Sequence, residues 1–238
     1  MKNTLNLVLF DLDDTLFDHQ HSQRYRLLAL QKMVPSLAQI AIQDLIAEHE
    51  RQLTMHYDSV LDGATSLRAN RLERFREIFV RFGVEMNPLE IEEAVHCYRR
   101  AYVQNRQAVP GAIPLLTFLK SRLQIGVVTN GLTGIQQEKL RACGIENYID
   151  FLLTSEAAGM KKPNPRIFIQ ALDMAQANRD DTIFIGDSWT SDIVGAHQAG
   201  IQSIWLNRTQ KPCPDPSLTE ELSAFEPLTH VLEALYSG

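Results

Sequence analysis

The chain repeats one pattern that few folds accept: a short apolar run that stops at a polar cluster, then a stretch with helical spacing. The runs are Leu5–Phe10, Gln124–Thr129, Phe151–Thr154, Asp181–Ile185 and Gln202–Leu206. Short apolar runs bounded by polar residues fit buried strands. Helix signals lie between the later runs. Leu115–Leu119 suits a helix after Pro110-Gly111, and Thr133 with Gln136 has the spacing of a capping box for a helix that stops at Gly144. Asn164-Pro165 opens another helix, and a further one ends near Gly200. Strands alternating with helices in this way imply an α/β fold with a parallel, doubly wound sheet. The tail after Arg208, with Pro212, Pro214 and Pro216, reads as loop before a short terminal helix over 228–236.

Residues 18–108 break the pattern, with no strand expected there. Leu72, Phe75, Phe79 and Phe82 fall at helical spacing, as do Ile91, Val95, Tyr98 and Tyr102. Pro35-Ser36 ends one helix and, with Ser36 and Gln39 at capping-box spacing, can begin another, and Asn87-Pro88 followed by Glu90 is a second start signal. The expectation is an all-helical inserted cap domain over 18–108 of roughly four helices, with 1–17 and 109–238 forming the core. Phe17, Asp18, His19, His21 and Arg24 are the cap-proximal candidates to face a leaving group, while Tyr25 and Leu28 are expected in the cap core.

Composition narrows the partners. A formal charge of −6, from 23 Lys+Arg against 29 Asp+Glu, argues against a nucleic-acid polymer or an anionic membrane as partner, because both need a basic face. The first apolar run is cut at Asp11, too short for a signal peptide or a membrane helix. Cys97, Cys143 and Cys213 are odd in number and too widely spaced for a metal pair. The expectation is a cytoplasmic protein, monomer or homodimer, acting on a small molecule.

In open parallel sheets, ligands bind beyond the carboxyl ends of the strands. Each polar cluster follows a predicted strand, so the clusters should gather at one edge. Asp11-Leu12-Asp13 offers a carboxylate nucleophile for phosphorus and a second acid to move protons; taken alone, the pair could equally cap a turn. Thr129-Asn130-Gly131 can bind phosphate oxygens or simply form a turn. Lys162 can neutralise a phosphate near a helix start, while Lys161 is expected in solvent. Asp187 suits Mg²⁺, and Asp192 could serve the ion or the helix dipole. So many acids in one place repel one another unless a cation joins them.

These four clusters, in this order, resemble the haloacid dehalogenase superfamily. FDLDDTLFD is similar to its first motif, VVTNG to the second, Lys162-Pro163 to the third, and GDSWTSD to the fourth. The helical insertion resembles its type 1 cap, and the core its Rossmann-like fold. The resemblance implies Asp11 as nucleophile and Mg²⁺ ligand. It implies Asp13 as general acid/base, lending its carbonyl to the metal. Thr129, Asn130 and Lys162 would hold the phosphoryl group, and Asp187 would be the third metal ligand with Asp192 in support. The presence of Asp13 disfavours C–halogen cleavage, as in a 2-haloacid dehalogenase. Asp14, where phosphosugar mutases often carry Gly, favours phosphatases. The implied activity is a Mg²⁺-dependent phosphatase of small phosphorylated metabolites, with nucleoside 5'-monophosphates preferred. Acylneuraminate 9-phosphate or another sugar phosphate is the alternative, and a non-catalytic binding protein is disfavoured because each expected position is intact.

Overall fold

A computed structural model describes residues 5–61 and 66–236. It divides into two compact units, Met1–Asp18 with Gln107–Gly238, and His19–Arg106.

The first unit holds a six-stranded sheet of order β3-β2-β1-β4-β5-β6. Its strands are β1 (Leu7–Phe10), β2 (Gln124–Thr129), β3 (Phe151–Thr154), β4 (Thr182–Gly186), β5 (Gln202–Leu206) and β6 (Glu220–Leu222). All neighbours run parallel. Phe10 pairs with both Val127 and Ile185, so the carboxyl ends of β1, β2 and β4 finish level. The chain leaves β1 to one side for β2 and β3, then returns to its other side at β4. That reversal opens a crevice between β1 and β4 where ligands bind in such sheets. Leu7, Leu9, Val128, Ile167, Phe168 and Phe184 pack into one dry cluster against the sheet. Leu7, Leu9, Val128 and Phe184 come from the strands and Ile167 and Phe168 from the helix over Pro165–Ala175, so a helix covers the apolar face of the parallel sheet.

The second unit is all-helical among its described residues: α1 (His19–Met33), α2 (Ile42–Leu61), α3 (Leu67–Arg81) and α4 (Pro88–Gln104). The helical spacing read from the sequence buries Phe75, Phe79, Ile91, Val95 and Tyr98 in its core, with Leu72 and Phe82 packed at its margin. Asn87 caps α4 in a full capping box with Glu90, and Pro88 takes the first turn. Helices α5 (Ala112–Lys120), α6 (Thr133–Ala142), α7 (Ser155–Ala158), α8 (Pro165–Ala175), α9 (Val194–Gln198) and α10 (Leu228–Tyr236) complete the first unit. Gly111, at φ 81°, turns the chain into α5. No described helix is long and apolar enough to cross a membrane.

Several expected details differ. Pro35–Leu37 is an isolated 3₁₀ turn without a side-chain cap, and the next helix starts only at Ile42. Thr133 does not cap α6. It is the first helical residue, its amide donates to the Glu156 carboxylate at 2.8 Å, and the preceding Leu132 offers no cap. Asp181 ends a 3₁₀ turn and does not enter β4. The tail holds a strand, β6, whose EEL sequence lacks the apolar run of a buried strand. Tyr25 and Leu28 are exposed, because α1 buries the face marked by Leu27 and Leu30 instead.

Candidate active site

The carboxyl ends of β1, β2 and β4 bring the four sequence clusters together. Asp11 follows β1, and its amide donates to the Ile185 carbonyl at 2.9 Å. The Leu12 carbonyl then accepts from the amides of Leu16 and Phe17, at 2.9 and 2.8 Å, and Asp14 takes a left-handed φ of 62°. Aspartate tolerates that region better than most residues. This turn holds the Asp11 and Asp13 side chains at the strand end.

Lys162 lies on the loop before α8, a helix capped by Asn164 with Pro165 in its first turn. Its ammonium sits 2.6 Å from Asp11 Oδ1 and 2.6 Å from Asp192 Oδ1. The three side chains are 2%, 9% and 1% exposed, so water screens this pair of contacts little. Burial alone would push the Lys162 ammonium down. Asp11 and Asp192 outweigh burial and hold it above the ordinary lysine range. Two further bonds fix the loop: Lys162 N donates to Asn130 Oδ1 at 2.8 Å, and Asn130 Nδ2 donates to the Lys162 carbonyl at 3.1 Å. The Asn130 side chain is thereby committed to the backbone of Lys162.

Asp192 lies on a π-helical turn, Trp189–Ile193, and not in an ordinary first helical turn as the sequence suggested. Ser188 closes that turn. Its amide donates to Asp192 Oδ2 at 2.9 Å, and its carbonyl accepts from Asp192 N at 2.8 Å. The wider turn aims Asp192 back at the sheet. Gly186 permits this, because a Cβ there would overlap the Asp192 carboxylate. Gly186→Ala is therefore expected to displace Asp192 and lower metal affinity or activity about 10–100-fold, as disturbing a ligand's supports commonly does. Magnesium titration of phosphatase activity checks it.

Asp11, Asp187 and Asp192 each offer a ligand oxygen, all within 4.8 Å of one another. Burial raises Asp11 to about 7, with Lys162 opposing and Asp192 adding to the rise. Burial raises Asp187 to about 9, with Asp11 and Asp192 adding repulsion. Carboxylates held this close repel one another unless a cation joins them. Hard oxygens in this number suit a small divalent ion. The Asp187 carbonyl accepts from the Trp205 indole at 2.8 Å, which anchors the loop to β5.

Some participants lie outside the four sequence clusters. Lys139 on α6 reaches both Asp13 oxygens at 2.6 Å, and Gln136 donates to Asp13 Oδ2 at 3.2 Å and to Thr129 Oγ1 at 2.7 Å. The three-residue step from Gln136 to Lys139 puts both on one helix face, a signal available in the sequence, where Gln136 reads only as a capping partner of Thr133. Arg208 pairs with Asp18 at 3.1 Å and stands 3.8 Å from Asp14. Lys161 is exposed, as expected.

The sequence profile of the haloacid dehalogenase-like hydrolases matches residues 5–200. The chain belongs to that family. It is 32% identical over 209 residues to pyrimidine 5'-nucleotidase YjjG of Escherichia coli, covering 87% of this chain and 88% of that protein. It is 27% identical over 223 residues to a glyceraldehyde 3-phosphate phosphatase of Methanopyrus kandleri, covering 93% and 92%. The magnesium-bound crystal structure of the HAD-hydrolase YfnB from Bacillus subtilis matches at a TM-score of 0.73 and 27% identity, over 97% of this chain and 99% of that one. The parallel sheet with an inserted helical domain is thus the fold of these hydrolases.

Proposed function

We infer that this haloacid dehalogenase-like hydrolase cleaves nucleoside 5'-monophosphates with Mg²⁺, through an aspartyl-phosphate on Asp11. The chain is a phosphoric monoester hydrolase by family and by the activities of its relatives. The observation that carries the metal-assisted aspartyl-phosphate reading is the cluster of Asp11, Asp187 and Asp192, with Lys162 bridging Asp11 and Asp192. The pyrimidine 5'-nucleotidase relative favours nucleotides over the sugar-phosphate alternative.

Asp11, Asp187, the Asp13 carbonyl and Asp192 would hold the ion, which supplies positive charge against the phosphoryl oxygens. An Asp11 oxygen attacks phosphorus, and the P–O bond to the leaving group breaks as the acyl phosphate forms. Asp13 gives the leaving oxygen its proton, then takes one from the water that cleaves the acyl phosphate. Lys162, Thr129 and the amides after β2 hold the phosphoryl oxygens during both transfers. Lys139 and Gln136 orient the Asp13 carboxyl group.

A phosphate-release screen with Mg²⁺ over nucleotides, sugar phosphates and acylneuraminate 9-phosphate tests the substrate. Highest kcat/KM on nucleoside monophosphates is expected, and a preference of tenfold or more for a sugar phosphate (about 1.4 kcal/mol) would replace that assignment.

The raised acids also set a pH dependence. Their folded values, about 7 for Asp11 and about 9 for Asp187, exceed the ordinary carboxylate value of 3.8. In metal-free protein their contribution to stability is full below that ordinary value and is lost as pH climbs through 7 to 9. A bound divalent ion replaces the protons and removes the loss. The rise in melting temperature on adding Mg²⁺ is therefore expected to be larger at pH 9 than at pH 6. Equal rises would contradict the proton–metal exchange.

A further inference from the structure

The helical unit of residues 19–106 contains a group of cations that the chemistry at Asp11 does not use. Arg26 on α1 is 6% exposed, and Arg74 on α3 is 7% exposed. Arg71, three residues before Arg74 and on the same face, is half-buried. The Arg26 guanidinium lies 4.7 Å from the ring centroids of both Tyr98 and Tyr102 on α4. A ring face attracts the cation but accepts none of its in-plane N–H bonds. Arg26 Nε and Nη2, and Arg74 Nε, are buried and donate to nothing among the described residues. No acid among those residues forms an ion pair with Arg26, Arg71 or Arg74.

Among the described residues, the neighbours supply no hidden counter-charge. His49, hydrogen-bonded to the Tyr98 hydroxyl at 2.5 Å, is kept neutral by burial and by repulsion from Arg26 and Arg74. Burial also pushes the Tyr98 phenol up, so it stays protonated. Arg74 is pushed down to about 10, chiefly by burial, with Arg71 and Arg26 adding repulsion. An arginine guanidinium keeps its charge at neutral pH. Buried charges that persist are paired or hold something.

We propose that Arg26, Arg71 and Arg74 form a binding site for a small oxyanion, a phosphate, sulfate or carboxylate group, inside the helical unit. The forked guanidinium donors match the several acceptor oxygens of such a group. The same chemistry would serve a free effector anion or a second acidic group carried by a substrate. The site stands independently of the reaction assigned to Asp11.

Full-length protein in EDTA, titrated with sodium sulfate and with sodium chloride at matched ionic strength, tests it by melting temperature. Sulfate is expected to produce a saturable rise that chloride does not; non-specific salting effects grow without saturation. Arg26→Gln and Arg74→Gln are each expected to weaken sulfate binding about tenfold. Arg71→Gln, at the half-buried member, gives the same readout if the buried variants fail to fold. Asp11→Asn keeps the sulfate response. A response no greater than chloride's, or one undiminished in folded Arg71→Gln and Arg74→Gln, overturns the site. Kinetics then identify the source of the anion. A substrate-borne group predicts that Arg71→Gln raises KM for 2-phosphoglycolate but not for p-nitrophenyl phosphate. An effector predicts equal KM changes, with the wild-type sulfate response retained.

Discussion

Replacing Asp11 with asparagine is expected to lower phosphatase turnover roughly ten-thousandfold or more, the scale seen when a nucleophile is removed. The fold should survive the change. Asp11 sits at about 7 because burial and the neighbouring acids disfavour its charge. Asparagine keeps the shape and removes that unfavourable charge, while Lys162 keeps Asp192 at 2.6 Å. Metal-free Asp11→Asn is therefore expected to melt no lower than wild type at pH 8. Turnover of p-nitrophenyl phosphate and a thermal melt measure the two halves. Full activity in the variant would remove Asp11 from the reaction, and a large fall in melting temperature would show that its ionised form stabilises the fold.

Lys162→Met should show the opposite balance, losing stability together with activity. The methionine fills a similar volume but leaves Asp11 and Asp192 without the ammonium that touches both. Removing one partner of a buried ion pair costs about 3–5 kcal/mol. For a chain of this size that corresponds to a fall in melting temperature on the order of 10 °C. Added Mg²⁺ is expected to restore part of the stability, since the ion can neutralise the same acids. It should not restore turnover, because the phosphoryl oxygens still lack their fixed cation. Recovery of activity with Mg²⁺ would mean that Lys162 serves the fold and not the reaction.

The sequence carried most of this arrangement, for a physical reason. Buried parallel strands are continuous apolar runs, so β1, β2 and β4 stand out, and the residues that end them are the candidate site residues. What it hid were features set by tertiary contact. Asp192 lies on a π turn that depends on the absence of a side chain at Gly186, and no local spacing distinguishes that from an ordinary helix start. Lys139 meets Asp13 across 126 positions of chain, a pairing no window of residues contains. β6 exists because β5 gives it a partner, not because Glu220 and Glu221 favour a strand. Tyr25 and Leu28 were misplaced because a helix with apolar residues on more than one side leaves its inward face undecided.

The first strand lies in the middle of the sheet, and its two neighbours come from residues 124–129 and 182–186. During synthesis, β1 must therefore wait for more than a hundred residues before either flank arrives, and the ligand-bearing loop after β4 comes last of the acids. The helical insertion is contiguous and can close its own contacts at once. A ribosome-bound chain halted before β4 would thus hold the whole helical insertion but an unassembled acid cluster, which is completed only when the late strand slots beside the early one.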